Sequence, residues 1–105
     1  MRNLDFTISG QAIHKKAGCD FSGISPGTAN YLRCRFFFSA EWRGCLKVAE
    51  FRRYAFSEPV SVPIYNNECY VPGEITSGMS WKVRIVGKRT GTKITTFECE
   101  VKQEG

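Results

Sequence analysis

An all-β fold, an antiparallel sandwich or barrel of about seven short strands, is what this sequence predicts, and three observations predict it. Apolar residues recur at every second position in several windows. Turn formers break those windows at intervals of roughly 8–12 residues, and no window sustains a 3.6-residue period. A period of two sends successive side chains to opposite faces of an extended chain, so each window has one face to offer a core.

Leu4, Phe6 and Ile8 alternate with Asn3, Asp5, Thr7 and Ser9, and this first strand ends at Gly10. Ala12-Ile13-His14-Lys15-Lys16 has the composition of a short strand, but the run from Gly18 to Thr28 is dense in Gly, Ser and Pro, so 11–30 is expected as one long ordered loop. In 31–39, Leu32, Cys34, Phe36 and Phe38 share a face, leaving Arg33, Arg35 and Phe37 on the other. Residues 40–53 could place Trp42, Cys45, Leu46, Ala49 and Arg53 on one helix face, but β-branched and aromatic residues on both flanks favour a strand at 45–51. Pro63 within 60–65 lacks a ladder donor and marks a sheet edge or a bulge. Asn66-Asn67 tolerates positive φ, so 60–65 and 68–71 are expected to form a tight hairpin, ended by Pro72-Gly73. Trp81, Val83 and Ile85 alternate with Lys82 and Arg84 in 80–87. Phe97, Cys99 and Val101 alternate with Glu98 and Glu100 in 93–102, and 88–92 is the loop between these last two strands.

The chain has 105 residues, 42% hydrophobic and 24% charged, the size and balance of one domain spanning 1–105, which excludes a multidomain enzyme. No run approaches the ~18 apolar residues of a membrane span, and the alternating start is unlike a signal peptide, so general secretory export is not expected. Five cysteines at spacings of 15, 11, 24 and 30 residues contain no C-x-x-C pair, and a single His completes no zinc pattern. Reduced, mostly buried thiols in a cytosolic setting follow, with no metal and no cofactor. Eight Phe, four Tyr and two Trp supply core volume without disulfides.

Catalysis has little to build on. His14 lies five residues from Cys19 across a flexible segment with no third group to orient its ring, and no P-loop, zinc-hydrolase or nucleophile-elbow pattern is present, so the chain is expected not to be an enzyme. The net charge of +5 favours anionic partners without demanding them. If successive strands alternate in direction, loops 40–44, 66–67 and 88–92 share one end and loops 10–30, 52–58 and 72–79 share the other. That second end then gathers Lys15, Lys16, Arg52, Arg53 and Tyr54 beside a Gly- and Ser-rich loop, a set suited to an anionic ligand with a base to stack. Arg33, Arg35, Lys82 and Arg84 form another group on strand faces, expected to be surface charge that discourages edge pairing. A scattered charge with no aromatic-basic repeat gives nucleic-acid binding little support.

Three stretches together carry a family resemblance: Asn3-Leu4-Asp5-Phe6-Thr7-Ile8-Ser9-Gly10-Gln11; Phe36-Phe37-Phe38-Ser39-Ala40-Glu41-Trp42-Arg43-Gly44 leading into Lys47-Val48-Ala49-Glu50-Phe51; and Cys69-Tyr70-Val71-Pro72-Gly73-Glu74. The chain resembles the small immunoglobulin-like β-sandwich module of phage tail proteins, especially the N-terminal domain of upper baseplate proteins of phages infecting Gram-positive bacteria. In that family F-S-x-x-W-x-G leads into K-x-A-x-F, a hairpin and a V-P-x-E corner. The resemblance runs from Asn3 to Val101, although 15–30 is longer and richer in glycine than the family's linker. It implies an immunoglobulin-like sandwich in which Trp42 caps one end of the core, Gly44 allows a tight reversal and Pro72 ends the hairpin.

Two functions follow as expectations. The first is a tail or baseplate component that docks with copies of itself, as a homo-oligomer, and with other phage or host proteins. The second is a counter-defence protein in the host cytoplasm that sequesters a phosphorylated nucleotide signal, or blocks a host immune protein, through Lys15, Lys16, Arg52, Arg53 and Tyr54. The infected cell's cytoplasm, and for the first function the virion, are the expected locations.

Overall fold

Leu4, Phe6 and Ile8 face inward from β1 (Arg2–Ser9), as their spacing requires, and the computed structural model, which describes residues 1–54 and 56–104, places them against a second sheet. Gly10 turns the chain with φ 58°, and β2 (Ala12–Lys15) returns antiparallel to β1. Next come β3 (Leu32–Phe38), a single 3₁₀ turn (Ala40–Trp42), β4 (Leu46–Arg52), β5 (Val60–Pro63), β6 (Glu68–Tyr70), β7 (Ser80–Arg89), β8 (Thr92–Thr95) and β9 (Cys99–Lys102). One sheet has the order β2-β1-β3-β6; the other runs β5-β4-β7-β8, with β9 also pairing β7. The fold is therefore all-β in two layers, as expected, with nine strands among the described residues in place of seven.

Four differences from the sequence expectation have physical causes. The first is β2, which buries only Ile13 and so leaves a weak alternation signal. Because β2 intervenes, β3 enters beside β1 in parallel, and the first sheet is mixed instead of purely antiparallel. A parallel pair needs a crossover of a dozen or more residues, which β2 and the loop 16–31 provide.

That loop is anchored along its length. Lys16 N–H donates to Asp5 O at 2.8 Å, and the Cys19 thiol accepts from Asp5 N–H at 3.3 Å and donates to Asn3 O at 3.6 Å, plugging the open edge of β1. Arg2 donates to the carbonyls of Asp20 and Gly23, Phe21 meets Phe6 edge to face, and Ile24 is buried. Gly27 N–H donates to Thr76 O at 2.7 Å, and the Thr76 hydroxyl donates to Thr28 O.

The second difference is the Asn66-Asn67 turn. Both asparagines have positive φ, and Tyr65 and Glu68 exchange backbone bonds of 3.2 and 3.1 Å. No hairpin ladder follows, however, because β5 pairs β4 and β6 pairs β3, so the turn carries the chain from one sheet to the other. Pro63 does lie in an edge strand.

Third, Ser39–Gly44 is neither long helix nor strand. The 3₁₀ turn swings Trp42 over the end of the core, where its indole N–H donates to Gly10 O at 2.9 Å, and Gly44 closes the reversal at φ 80°.

Fourth, the last strand breaks. Ile85 N–H donates to the Thr96 hydroxyl at 2.9 Å and Thr96 N–H to Ile85 O at 3.0 Å, while Phe97 N–H crosses to Gln11 O at 3.0 Å in the other sheet. The break behaves as a bulge and shifts the alternation by one. Phe97, which period two assigns to the inward set, is 76% exposed.

The core is aromatic on one side, with Phe6 stacked on Phe36 at 5.7 Å and Phe38 tilted against Trp42 at 5.4 Å; Phe51 and Trp81 meet at 5.7 Å on the other. All five cysteines are free; Cys34, Cys45 and Cys69 are buried, while Cys19 and Cys99 are half-buried. Cys34 faces Cys69 across the β3–β6 ladder. Burial, then the hydrogen bond with Cys69, pushes the Cys34 thiol well above its ordinary value. A group raised in the folded state gives stability that is fully present below its unfolded value, about 8.5 for a thiol. That stability is lost as pH climbs from there through the raised folded value. The urea midpoint is therefore expected to fall between pH 8 and pH 10, and Cys34→Ala, weaker overall, should fall less over the same range. An equal slope in both proteins would refute the assignment to Cys34.

Candidate functional site

The five residues expected to form one anionic site are spread over β2, the end of β4 and the loops that follow each, with Lys15 beside Cys99 and Arg52 on the neighbouring Glu98. Lys16 lies with its Nζ 5.2 Å from the Phe37 ring, on the outward face of the β1–β3 sheet, and Lys15 Nζ stands 5.4 Å from the Phe21 ring at that sheet's side. Arg52 lies on the outward face of the other sheet, where its guanidinium meets Glu98 at 2.6 Å. Arg53 lies over the Tyr54 ring at 6.0 Å in the following loop. Loops 40–44, 66–67 and 88–92 share one end, as strand parity predicts: Arg89 donates to the carbonyls of Glu41 and Arg43 at 2.8 and 3.0 Å, and Phe36 N–H donates to Asn67 O at 2.8 Å. Residues 10–15 do not lie at the opposite end, because the β1–β2 turn is at this same end and β2 carries Lys15 back along the side. The other potential pair is also apart: His14 lies opposite Thr7 on the ladder, while the Cys19 thiol is committed to the β1 backbone.

The charge is polarised in the opposite sense to the sequence expectation. At the end formed by the 3₁₀ turn and the β7–β8 turn, Arg43, Lys47, Lys88, Arg89 and Lys93 stand against Glu41 and against Glu68, which Arg33 already engages. At the far end Arg2, Arg52, Arg53, Lys82 and Lys102 face Asp20, Glu58, Glu74, Glu98, Glu100 and Glu104, so no net positive charge remains there. On the sheet faces the arginines are paired. Arg35 grips Asp5 through two bonds of 2.7 and 2.8 Å, Arg33 takes Asn3 Oδ1 at 2.9 Å and Glu68 at 3.5 Å, and Arg84 meets Glu50 at 2.6 Å. Arg35–Asp5 and Arg84–Glu50 sit directly across their ladders, and Arg33 reaches Glu68 on the diagonal, positions where opposite charges are favourable.

The fixed arginines form the floor of an aromatic surface. Phe37 stands outward on β3, Tyr70 outward on β6, and Tyr65 at the mouth of the sheet-crossing turn, 45%, 39% and 73% exposed. A groove of about 680 Å³ runs over Thr7, Ser9, Arg35 and Phe37 to Asn66 and Asn67. A second, of about 450 Å³, continues past Arg33, Pro63, Tyr65 and Tyr70. Tyr, Phe and Arg held rigid next to concave surface are what protein interfaces concentrate. One signal of this was legible in the sequence: Phe37 breaks the polar face that Arg33 and Arg35 set. Tyr65 and Tyr70 gave none, since their position depends on the change of sheet.

Compared with known proteins, the chain matches no family model, no curated protein and no solved structure at a significant level. Among the described residues no helix is long and apolar enough to cross a membrane, and no three His, Cys, Asp or Glu side chains gather as metal ligands would.

Proposed function

We propose that the chain is a phage-encoded, immunoglobulin-like β-sandwich module of tail or baseplate type. It works by docking, to copies of itself in a symmetric oligomer and to other phage or host proteins. The observation that supports this reading is the aromatic surface of Phe37, Tyr65 and Tyr70 over the fixed Arg33 and Arg35. The arginines beneath it are preorganised by ion pairs within the sheet, so little ordering of that floor remains to oppose association. In this reading the protein is made in the host cytoplasm and ends in the virion. The alternative, sequestration of a phosphorylated nucleotide, would need Lys15, Lys16, Arg52, Arg53 and Tyr54 to converge, and it has less support because Lys16 lies over Phe37 on one sheet while Arg52 is engaged by Glu98 on the other.

Mass spectrometry of purified virions should detect the protein, and Phe37→Ser with Tyr70→Ser should lower its incorporation about tenfold, the effect of losing an interface anchor. Both side chains are half-exposed, so the double variant is expected to fold. Absence of the parent protein from virions refutes the proposal.

A further inference from the structure

At the basic end, the outward face of the β4–β7–β8 sheet holds an arrangement unfavourable within the chain itself. Trp81, Val83 and Ile85 point into the core from β7, so Val86 lies with Lys88 on the opposite face. Lys88 pairs directly with Lys93 of β8 and, on its other side, with Leu46 of β4. Like charges directly opposite each other on a ladder repel. Among the described residues, none of Arg43, Lys88 and Lys93 makes an ion pair, although Arg33, Arg35, Arg52 and Arg84 each have a carboxylate. Leu46, beside Lys88, is 84% exposed. Next to it lies a depression of about 390 Å³, lined by Leu46, Val48, Pro63, Ile64 and Tyr65, together with Lys47, whose ammonium is turned away to Cys45 O and the Phe38 ring.

We propose that this end docks an acidic segment of a partner protein. An aliphatic or aromatic side chain of the segment enters the depression beside Leu46, Val48, Pro63 and Ile64. Carboxylates flanking that anchor reach Lys88 and Lys93 and relieve their mutual repulsion. Three observations point to one occupant: the adjacent unpaired ammonium groups, the apolar hollow next to them, and the concentration of the chain's net charge at this end. A polynucleotide would satisfy the lysines but leave Leu46 and the hollow uncovered, and Tyr65 is the single large exposed ring there, short of the stacking platform that bases use. The inference goes beyond the tail-module reading and does not rest on it, since Lys88, Lys93 and Leu46 lie outside the aromatic surface and the border between the two is Pro63, Tyr65, Asn66 and Asn67, and the partner's chemistry is the same in a virion as in a host cell.

The test uses the full chain and three fluorescent probes read by anisotropy: a short peptide alternating glutamate with leucine, the same peptide with glutamine for glutamate, and a single-stranded oligonucleotide. The glutamate peptide is expected to bind about tenfold more tightly than the glutamine peptide, and the difference should shrink as salt is added. Lys88→Glu separates binding from folding, because it converts the repelling pair into an attracting one. It should raise the melting temperature by roughly 3 °C while abolishing the preference for glutamate. Leu46→Ser, at an exposed position, should weaken both peptides about fivefold if the hollow takes an apolar anchor. Equal affinity for the two peptides, unchanged binding after Lys88→Glu or Leu46→Ser, or tighter binding of the oligonucleotide than of the glutamate peptide overturns the proposal. Absence of the protein from virions would leave it standing.

Discussion

Gly87→Ala is expected to lower the stability of the fold by about 3 kcal/mol, the upper range for an overpacked core. Its backbone is ordinary extended strand, so the need for glycine is one of space alone. A Cβ at Gly87 would stand 2.6 and 2.8 Å from Cζ3 and Cε3 of Trp42 and 3.2 Å from Cβ of Cys45. The indole cannot move aside, because it is fully buried, bonded to Gly10 O at 2.9 Å and packed on Phe38. Relief has to come from shifting the β4–β7 ladder or the 3₁₀ turn. In urea the midpoint should drop with an unchanged slope. A variant as stable as the parent would show that the Trp42 cap is not the rigid lid described.

Gln103→Leu should cost a similar amount, about 3 kcal/mol, for a different reason: it strands partners instead of crowding them. Gln103 is 3% exposed; its carbonyl accepts from the Trp81 indole at 3.1 Å, and its amide donates to Thr76 O at 2.9 Å and Gly78 O at 2.6 Å. Leucine fills the space but leaves the Trp81 indole N–H and the Gly78 carbonyl without their partner, while Thr76 O keeps only the bond from Gly27 N–H. Because the same side chain fastens the 72–79 turn to the chain after β9, thermal melting should show the loss together with a changed Trp81 emission. A loss under about 1 kcal/mol would mean that water replaces the amide.

The strands were legible where alternation coincides with burial. Leu4, Phe6 and Ile8, or Trp81, Val83 and Ile85, announce their faces because each inward residue is large and each outward one polar. Residues 12–15 did not, since Ile13 alone is buried, and 96–98 misled, since Thr96 joins the core and the break exposes Phe97. The parallel pairing of β1 with β3 has no local signal, being a property of where the chain returns after its long loop. The site suffered most from this. Charges could be counted in the sequence, but whether Lys88 faces a glutamate or Lys93 is set by ladder register. Which cations share an end is set by strand direction, and a single undetected strand was enough to send Lys15 and Lys16 elsewhere.

Arg2 binds the same loop, 20–24, to which Glu104 N–H is tied through Ile24 O at 2.7 Å, so both ends of the described chain leave the sandwich together, away from Lys88 and Lys93. Anything joined to either terminus, whether a solid support or a neighbouring domain, therefore inherits the same orientation. The attached side is the electrically neutral one and the cationic side points outward, so tethering by either end amounts to choosing the direction of the molecule's dipole.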